Sequence, residues 1–124
     1  MARNKYNLIT LLILNLYFMP LANAKDGISC SGTIDTIGVH GTDRVMLQLS
    51  GMNALVQICH LNSTIGSTYP ITAEQCKAAY STLLTAYSMG KTIKVWFDNV
   101  QTGTSCDTFK NWEVATARWV FLSK

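Results

Sequence analysis

Four cysteines constrain the fold of this chain more than any other feature of its sequence. They are Cys30, Cys59, Cys76 and Cys106. An even cysteine count in a small exported domain is typical of two disulfides, which compensate for a core too small to be stable by itself. Three pairings are possible. A zinc site is the alternative, but no C-x-x-C pair occurs, and the two histidines, His40 and His60, do not repeat a zinc-finger spacing.

The start of the chain has the three parts of a secretory signal peptide in the right order. Two basic residues precede an apolar run over residues 8–18, and an A-x-A cleavage site follows at 22–24. The run is shorter than the roughly 20 residues of a membrane-spanning helix, and Pro20 ends it. We therefore predict cleavage after Ala24, no membrane span, and a secreted or periplasmic protein with one domain over residues 25–124.

The predicted cleavage also changes the charge. It removes Arg3 and Lys5, so Lys plus Arg falls from 10 to 8 against 7 acidic residues, and the formal net charge falls from +3 to +1. Such a charge does not indicate a polyanionic partner. We expect no nucleic-acid partner.

Residue patterns predict three strands, one helix and two further strands. The predicted strands cover residues 30–40, 44–50, 54–61, 91–98 and 115–122. The alternation is clearest in the second strand, where Val45, Leu47 and Leu49 share one face.

The helix is predicted over residues 72–90. It begins with a capping-box pattern, and residues of a predicted apolar face then follow at steps of three and four: Cys76, Ala79, Tyr80, Leu83 and Tyr87. Its other face is small and uncharged, which leaves two interpretations open: a surface that contacts other protein, or an exposed face rich in Ser and Thr. The residues of that face are Ala78, Ser81, Thr82 and Thr85.

The order β-β-β-α-β-β predicts a mainly β fold with one helix, specifically the five-stranded Greek-key barrel called the OB-fold. In that barrel the first and fourth strands are antiparallel neighbours. This brings Cys30 near the loop that contains Cys106 and leaves Cys59 to pair with Cys76. A disulfide between Cys30 and Cys59 would contradict the topology.

No arrangement of residues predicts catalysis. The acidic residues are scattered, and there is no nucleophile–histidine constellation, phosphate-binding loop or HExxH motif. His40 and His60 are interpreted as ordinary surface or loop residues rather than a general base and its partner. We expect neither an enzyme nor a bound metal or cofactor.

Aromatic side chains favour binding instead. Flat apolar rings beside neutral hydrogen-bonding groups suit sugars, although any single ring can equally be part of the core. Bases also stack on aromatic residues in OB-folds, but export and a charge of +1 argue against nucleic acid. The aromatic candidates are Tyr69, Trp96, Trp112 and Trp119.

Several segments together carry a resemblance to a known family. They are Asp-Gly at 26–27, Ser-Gly at 31–32, Cys59 near the end of the third strand, and residues 80–97, which lead from the helix into the fourth strand. With the order of elements, they resemble the pentameric B subunits of bacterial A-B toxins, especially those of subtilase cytotoxin and the typhoid toxin group. The resemblance implies an OB-fold, a ring around a helix-lined pore, cell-surface glycans, often sialylated, as ligands, and a catalytic A subunit as a candidate partner.

The resemblance also implies a glycan site. Ser31 corresponds to a serine that contacts sialic acid in the family, and Asp26 lies close to an acidic residue of the same pocket. Phe97 falls where the family has a tyrosine, and the missing hydroxyl removes a hydrogen bond, so the sugar would differ or bind more weakly. The predicted site residues are Asp26, Ser31, Trp96 and Phe97.

One departure from the family concerns the cysteines. Gln48 stands where the family has the cysteine that pairs with the counterpart of Cys59. Cys59 therefore needs another partner here, which supports Cys76.

The sequence thus predicts a secreted, disulfide-stapled module that binds cell-surface glycans and assembles as a homo-oligomeric ring. The alternative is an exported OB-fold protein that binds or inhibits another protein, without lectin activity.

Overall fold

The computed structural model describes residues 26–123, which form six β-strands and one α-helix. The predicted signal peptide and its cleavage site lie outside the described residues. The predicted class, mainly β with one helix, is confirmed. In chain order the elements are β1 (Asp26–Gly32), β2 (Ile34–His40), β3 (Arg44–Leu49), β4 (Val56–His60), α1 (Ala73–Ser88), β5 (Ile93–Val100) and β6 (Thr116–Leu122).

The strands form two antiparallel sheets of three strands each. One sheet has the order β1-β5-β6, and the other has the order β2-β3-β4. The prediction of a single first strand over residues 30–40 differs from the structure, since that segment is divided between the two sheets at Thr33.

The division at Thr33 has a local cause. The Thr33 N–H donates to the Ser50 hydroxyl at 3.0 Å, and the Ser50 N–H donates to the Thr33 carbonyl at 2.8 Å. The chain can approach Ser50 this closely because residue 32 is glycine, where a Cβ would lie 2.5 Å from the Ser50 carbonyl oxygen. β1 and β2 therefore continue from one another but pair with different strands.

The sheets are also connected at β4. The Gln57 N–H donates to the Glu113 carbonyl at 2.8 Å, and the Ala115 N–H donates to the Gln57 carbonyl at 2.9 Å, in a parallel bridge just before β6. The strand ladders of residues 26–123 nevertheless form two sheets and no closed barrel, so the five-stranded barrel is not confirmed.

Strand alternation sorts side chains between core and surface. Val45, Leu47 and Leu49 on β3 are fully buried, as their pattern predicts. Met46 lies on the opposite face, which the alternation predicts to be exposed, but it is also buried, and it lines a small cavity together with Trp112.

Helix α1 begins with the predicted capping box. The Gln75 N–H donates to the Thr72 hydroxyl at 3.2 Å, and the Thr72 N–H donates to the Gln75 side-chain oxygen at 2.9 Å. Tyr87, predicted on the apolar face, is exposed, since Ala86 occupies the inward position in that turn. The buried side chains of α1 are Cys76, Leu83 and Ala86.

Both predicted disulfides are formed. Cys30 on β1 is bonded to Cys106 in the loop between β5 and β6, and Cys59 on β4 is bonded to Cys76 in the first turn of α1. None of the four cysteines is free. The second bond joins the helix to the sheet that contains β4.

Candidate ligand-binding surface

Two rows of side chains cross the outer face of the β1-β5-β6 sheet. Their aromatic members form a surface that we call the aromatic surface: Trp96, Trp119 and Phe121. The exposed fractions of these side chains are 38%, 51% and 50%. Alternation along β5 places Val95 and Phe97 in the core and so directs Trp96 outward. From β1 across β5 to β6, the rows are Ser29, Trp96 and Trp119, and Ser31, Lys94 and Phe121.

The aromatic surface is a shallow apolar depression. The rings of Trp119 and Phe121 have centroids 5.9 Å apart and planes inclined by 6°. Together with Trp96 and Arg118 they line a cavity of about 360 Å³. Hydrogen-bonding groups lie beside it in the same rows, on Ser31 and Lys94.

A β-bulge places a charged residue at the edge of the aromatic surface. In β6, Arg118 is an extra residue between the partners of Trp96 and Phe97. Its guanidinium contacts Asp98, with Nε 2.5 Å from Oδ2 and Nη2 3.0 Å from Oδ1. The Asp98 Oδ1 atom also accepts a hydrogen bond from Trp96 Nε1 at 3.0 Å. Asp98 is thus buried but fully paired.

Arg118 is held on its other side by an aromatic ring. Its Cζ lies 3.3 Å from the ring centroid of Tyr69, a cation–π contact. The hydrogen bond with Asp98 is the main cause that raises the pKa of Arg118, while burial acts in the opposite direction. The guanidinium therefore keeps its charge throughout the physiological pH range.

The structure separates the predicted site residues. Ser31 and Trp96 are both exposed in neighbouring rows. Phe97 is fully buried, with its ring 5.6 Å from that of Phe109, so it has no surface with which to contact a sugar. Asp26 pairs with Val100 at the other end of β1, about 17 Å from Ser31 along the strand.

The predicted site omits Trp119 and Phe121 of the aromatic surface and Arg118 at its edge. The sequence makes Trp119 a binding candidate but does not distinguish it from a core residue, and no pattern singles out Phe121 or Arg118 as a ligand contact. The spacing of Trp119 and Phe121, two residues apart on a strand, places them on one face. Which face that is depends on the bulge at Arg118, and no local pattern reveals the bulge.

Two further cavities lie elsewhere. Between α1 and β6 is a groove of about 470 Å³, where Ala78 and Thr82 of the small helix face lie across from Arg118. A smaller cavity of about 180 Å³ is lined by His40 and Trp112, whose ring centroids are 4.6 Å apart.

Over residues 26–123, no group of His, Cys, Asp and Glu side chains is arranged to hold a metal ion. Within the same residues, no helix has the length and apolar character needed to span a membrane. Comparison with protein-family models, with curated proteins and with solved structures finds no match to this chain.

Proposed function

We propose that this protein is an exported glycan-binding module of the OB type, similar to the B subunits of A-B toxins. The observation that carries the proposal is the aromatic surface formed by Trp96, Trp119 and Phe121, with Ser31 and Lys94 beside it. Binding sites for small polar ligands combine apolar and aromatic surfaces with a few hydrogen-bonding groups. A sugar ring has the matching chemistry, because its C–H face is apolar and its rim carries hydroxyls.

Two connections between the sheets support the OB type. The first is the change of sheet at Thr33, by which one continuous stretch of chain pairs with both β3 and β5. The second is the parallel bridge between Gln57 and Val114. A five-stranded Greek-key barrel requires its first strand to be shared in this way and its last strand to meet the third.

The proposal includes a ring of identical subunits. β6 lies at the edge of its sheet, where it can pair with a strand of another subunit. The small uncharged face of α1 would suit a helix-lined pore, and a catalytic A subunit is the partner such a ring would carry.

The glycan site is tested with an array of sialylated and neutral glycans. The probe is the purified, oxidised protein over residues 25–124. We expect binding that Trp119→Ala and Ser31→Ala both weaken. The matched control is Trp112→Ala, because that ring is similarly exposed, at 49%, but lies near His40 instead. Absence of binding above background, or equal binding by Trp119→Ala, would contradict the proposal.

A second candidate function is binding or inhibition of another protein without lectin activity. The observation that favours it is the exposure of three apolar side chains on an edge strand: Trp119 is 51% exposed, Phe121 50% and Leu122 55%. Aromatic residues on exposed apolar patches are typical of protein interfaces. Mass in solution separates the two functions: a stable pentamer favours the toxin-like module, and a monomer favours the protein-binding alternative.

A further inference from the structure

Within the aromatic surface, Trp96 differs from its two aromatic neighbours. Its ring nitrogen donates to Asp98 at 3.0 Å, so its N–H is already used inside the protein. Trp119 has no such bond among residues 26–123, and the ring contact of its indole is with Phe121. Trp96 can therefore offer a ligand only its ring surface, whereas the indole N–H of Trp119 is not used by any group of residues 26–123.

The backbone of β1 constrains the same indole from a second direction. A Cβ placed on Gly27 would lie 2.6 Å from Nε1 of Trp96 and 2.8 Å from Cε2 and Cζ2. The ring of Trp96 thus packs directly on the backbone at Gly27, which only a residue without a side chain permits. Packing on Gly27 and the hydrogen bond to Asp98 together restrict the orientation of the ring.

Asp98 is itself held in place. Both its oxygens accept hydrogen bonds from Arg118, and Arg118 packs on the ring of Tyr69. Asp98 is 2% exposed, so water has little access to the carboxylate. Charge-assisted bidentate pairs are the strongest hydrogen bonds of this kind, and they also define a geometry.

We propose that Asp98, held by Arg118, is a positioning residue that presets the indole of Trp96 as the rigid anchor of the glycan site. This inference rests on the proposed function. Its physical basis is that ordering a side chain on binding costs free energy, and a ring that is already ordered avoids this cost. Trp119 and Phe121, which lack a comparable support, adapt to the ligand.

The test separates the position of the ring from glycan binding. The principal variant is Asp98→Ala with Arg118→Met, because removal of both partners leaves no unpaired buried charge. The control is Glu74→Ala with Lys77→Met, an exposed ion pair at 3.1 Å on α1. NMR measures the solvent-exchange rate of the Trp96 indole N–H, assigned with Trp96→Phe. Titrations with sialyllactose and lactose measure affinity.

We expect the principal variant to exchange the Trp96 indole proton faster and to lose about tenfold or more in glycan affinity, as for Trp96→Ala. The control should match the wild type in both measurements. An unchanged exchange rate of the Trp96 indole N–H would overturn the positioning role. Undiminished glycan affinity in a variant whose Trp96 indole N–H exchanges faster would overturn it as well.

Gly27→Ala provides an independent route to the same result if the principal variant does not fold. It displaces the Trp96 ring while leaving the Asp98–Arg118 pair intact, and it should weaken glycan binding similarly. Undiminished affinity with a displaced ring would contradict the role of Trp96 as an anchor. If the wild type binds neither sugar, the proposed glycan function fails, and the indole measurement still decides whether Asp98 orients Trp96.

Discussion

At the residue scale, adjacent positions on β5 have opposite roles. Phe97 is fully buried against Phe109, whereas Trp96 lies on the outer face and contacts Asp98. The resemblance to toxin B subunits implies a ligand contact for Phe97, but the strand places its ring in the core. A difference of one residue along a strand reverses the direction of the side chain.

These two aromatic residues give the first prediction. Phe97→Ala should lower the free energy of unfolding by about 3–5 kcal/mol, because it removes a buried ring and leaves a cavity. Trp96→Ala should lower it much less, since that ring is partly exposed, but should weaken glycan binding. Urea unfolding of the oxidised protein measures both variants. A Phe97→Ala variant of wild-type stability would contradict the core assignment.

At the element scale, the change of sheet between β1 and β2 depends on how closely Gly32 approaches Ser50. Two hydrogen bonds replace the strand ladder at this point: the Thr33 N–H donates to the Ser50 hydroxyl, and the Thr33 carbonyl accepts from the Ser50 N–H. The sequence predicted one strand here because residues on both sides favour β-structure, and a shared strand has no local signature that distinguishes its two halves.

The second prediction uses two glycines of this region. Gly32→Ala should destabilise the protein by about 1–3 kcal/mol, because the added Cβ would lie 2.5 Å from Ser50 and push the strands apart. Gly38→Ala is the matched control on β2, where a Cβ would meet nothing within 4 Å. Thermal unfolding should show a lower midpoint for Gly32→Ala alone. Equal midpoints would mean that the close approach to Ser50 is not required.

At the scale of the whole molecule, the two disulfides connect parts that are distant in the chain. The Cys30–Cys106 bond spans 76 positions and joins β1 to the long loop before β6, while Cys59–Cys76 spans 17 and fixes the start of α1. The conformational entropy that a disulfide removes from the unfolded chain increases with the length of the loop it closes, so the longer loop is expected to contribute more stability.

The third prediction compares the two bonds. By loop closure, replacing Cys30 and Cys106 with Ala should cost about 4.5 kcal/mol, and replacing Cys59 and Cys76 should cost about 3 kcal/mol. Urea unfolding of the two double variants measures the difference. If the variant without Cys59–Cys76 were the less stable, the local attachment of α1, rather than chain entropy, would dominate.

Features that depend on near neighbours can be predicted from the sequence. The capping box at Thr72, the helix after it and the alternation of Val45, Leu47 and Leu49 follow from spacings of two to four residues. The disulfide pairing required one more inference, from the order of the elements. Two strands that are antiparallel neighbours in the predicted fold bring Cys30 close to the loop that contains Cys106.

Details that depend on strand register are visible only in the three-dimensional structure. The bulge at Arg118 brings its guanidinium to Asp98, and the register across the sheet brings Trp119 beside Trp96. Register is set by pairing between strands that lie far apart in sequence, and a shift of one residue moves a side chain to the other face. The candidate site consists of such long-range pairs, so the sequence could nominate Trp96 and Trp119 as binding residues but not Phe121 or the arrangement of the three rings.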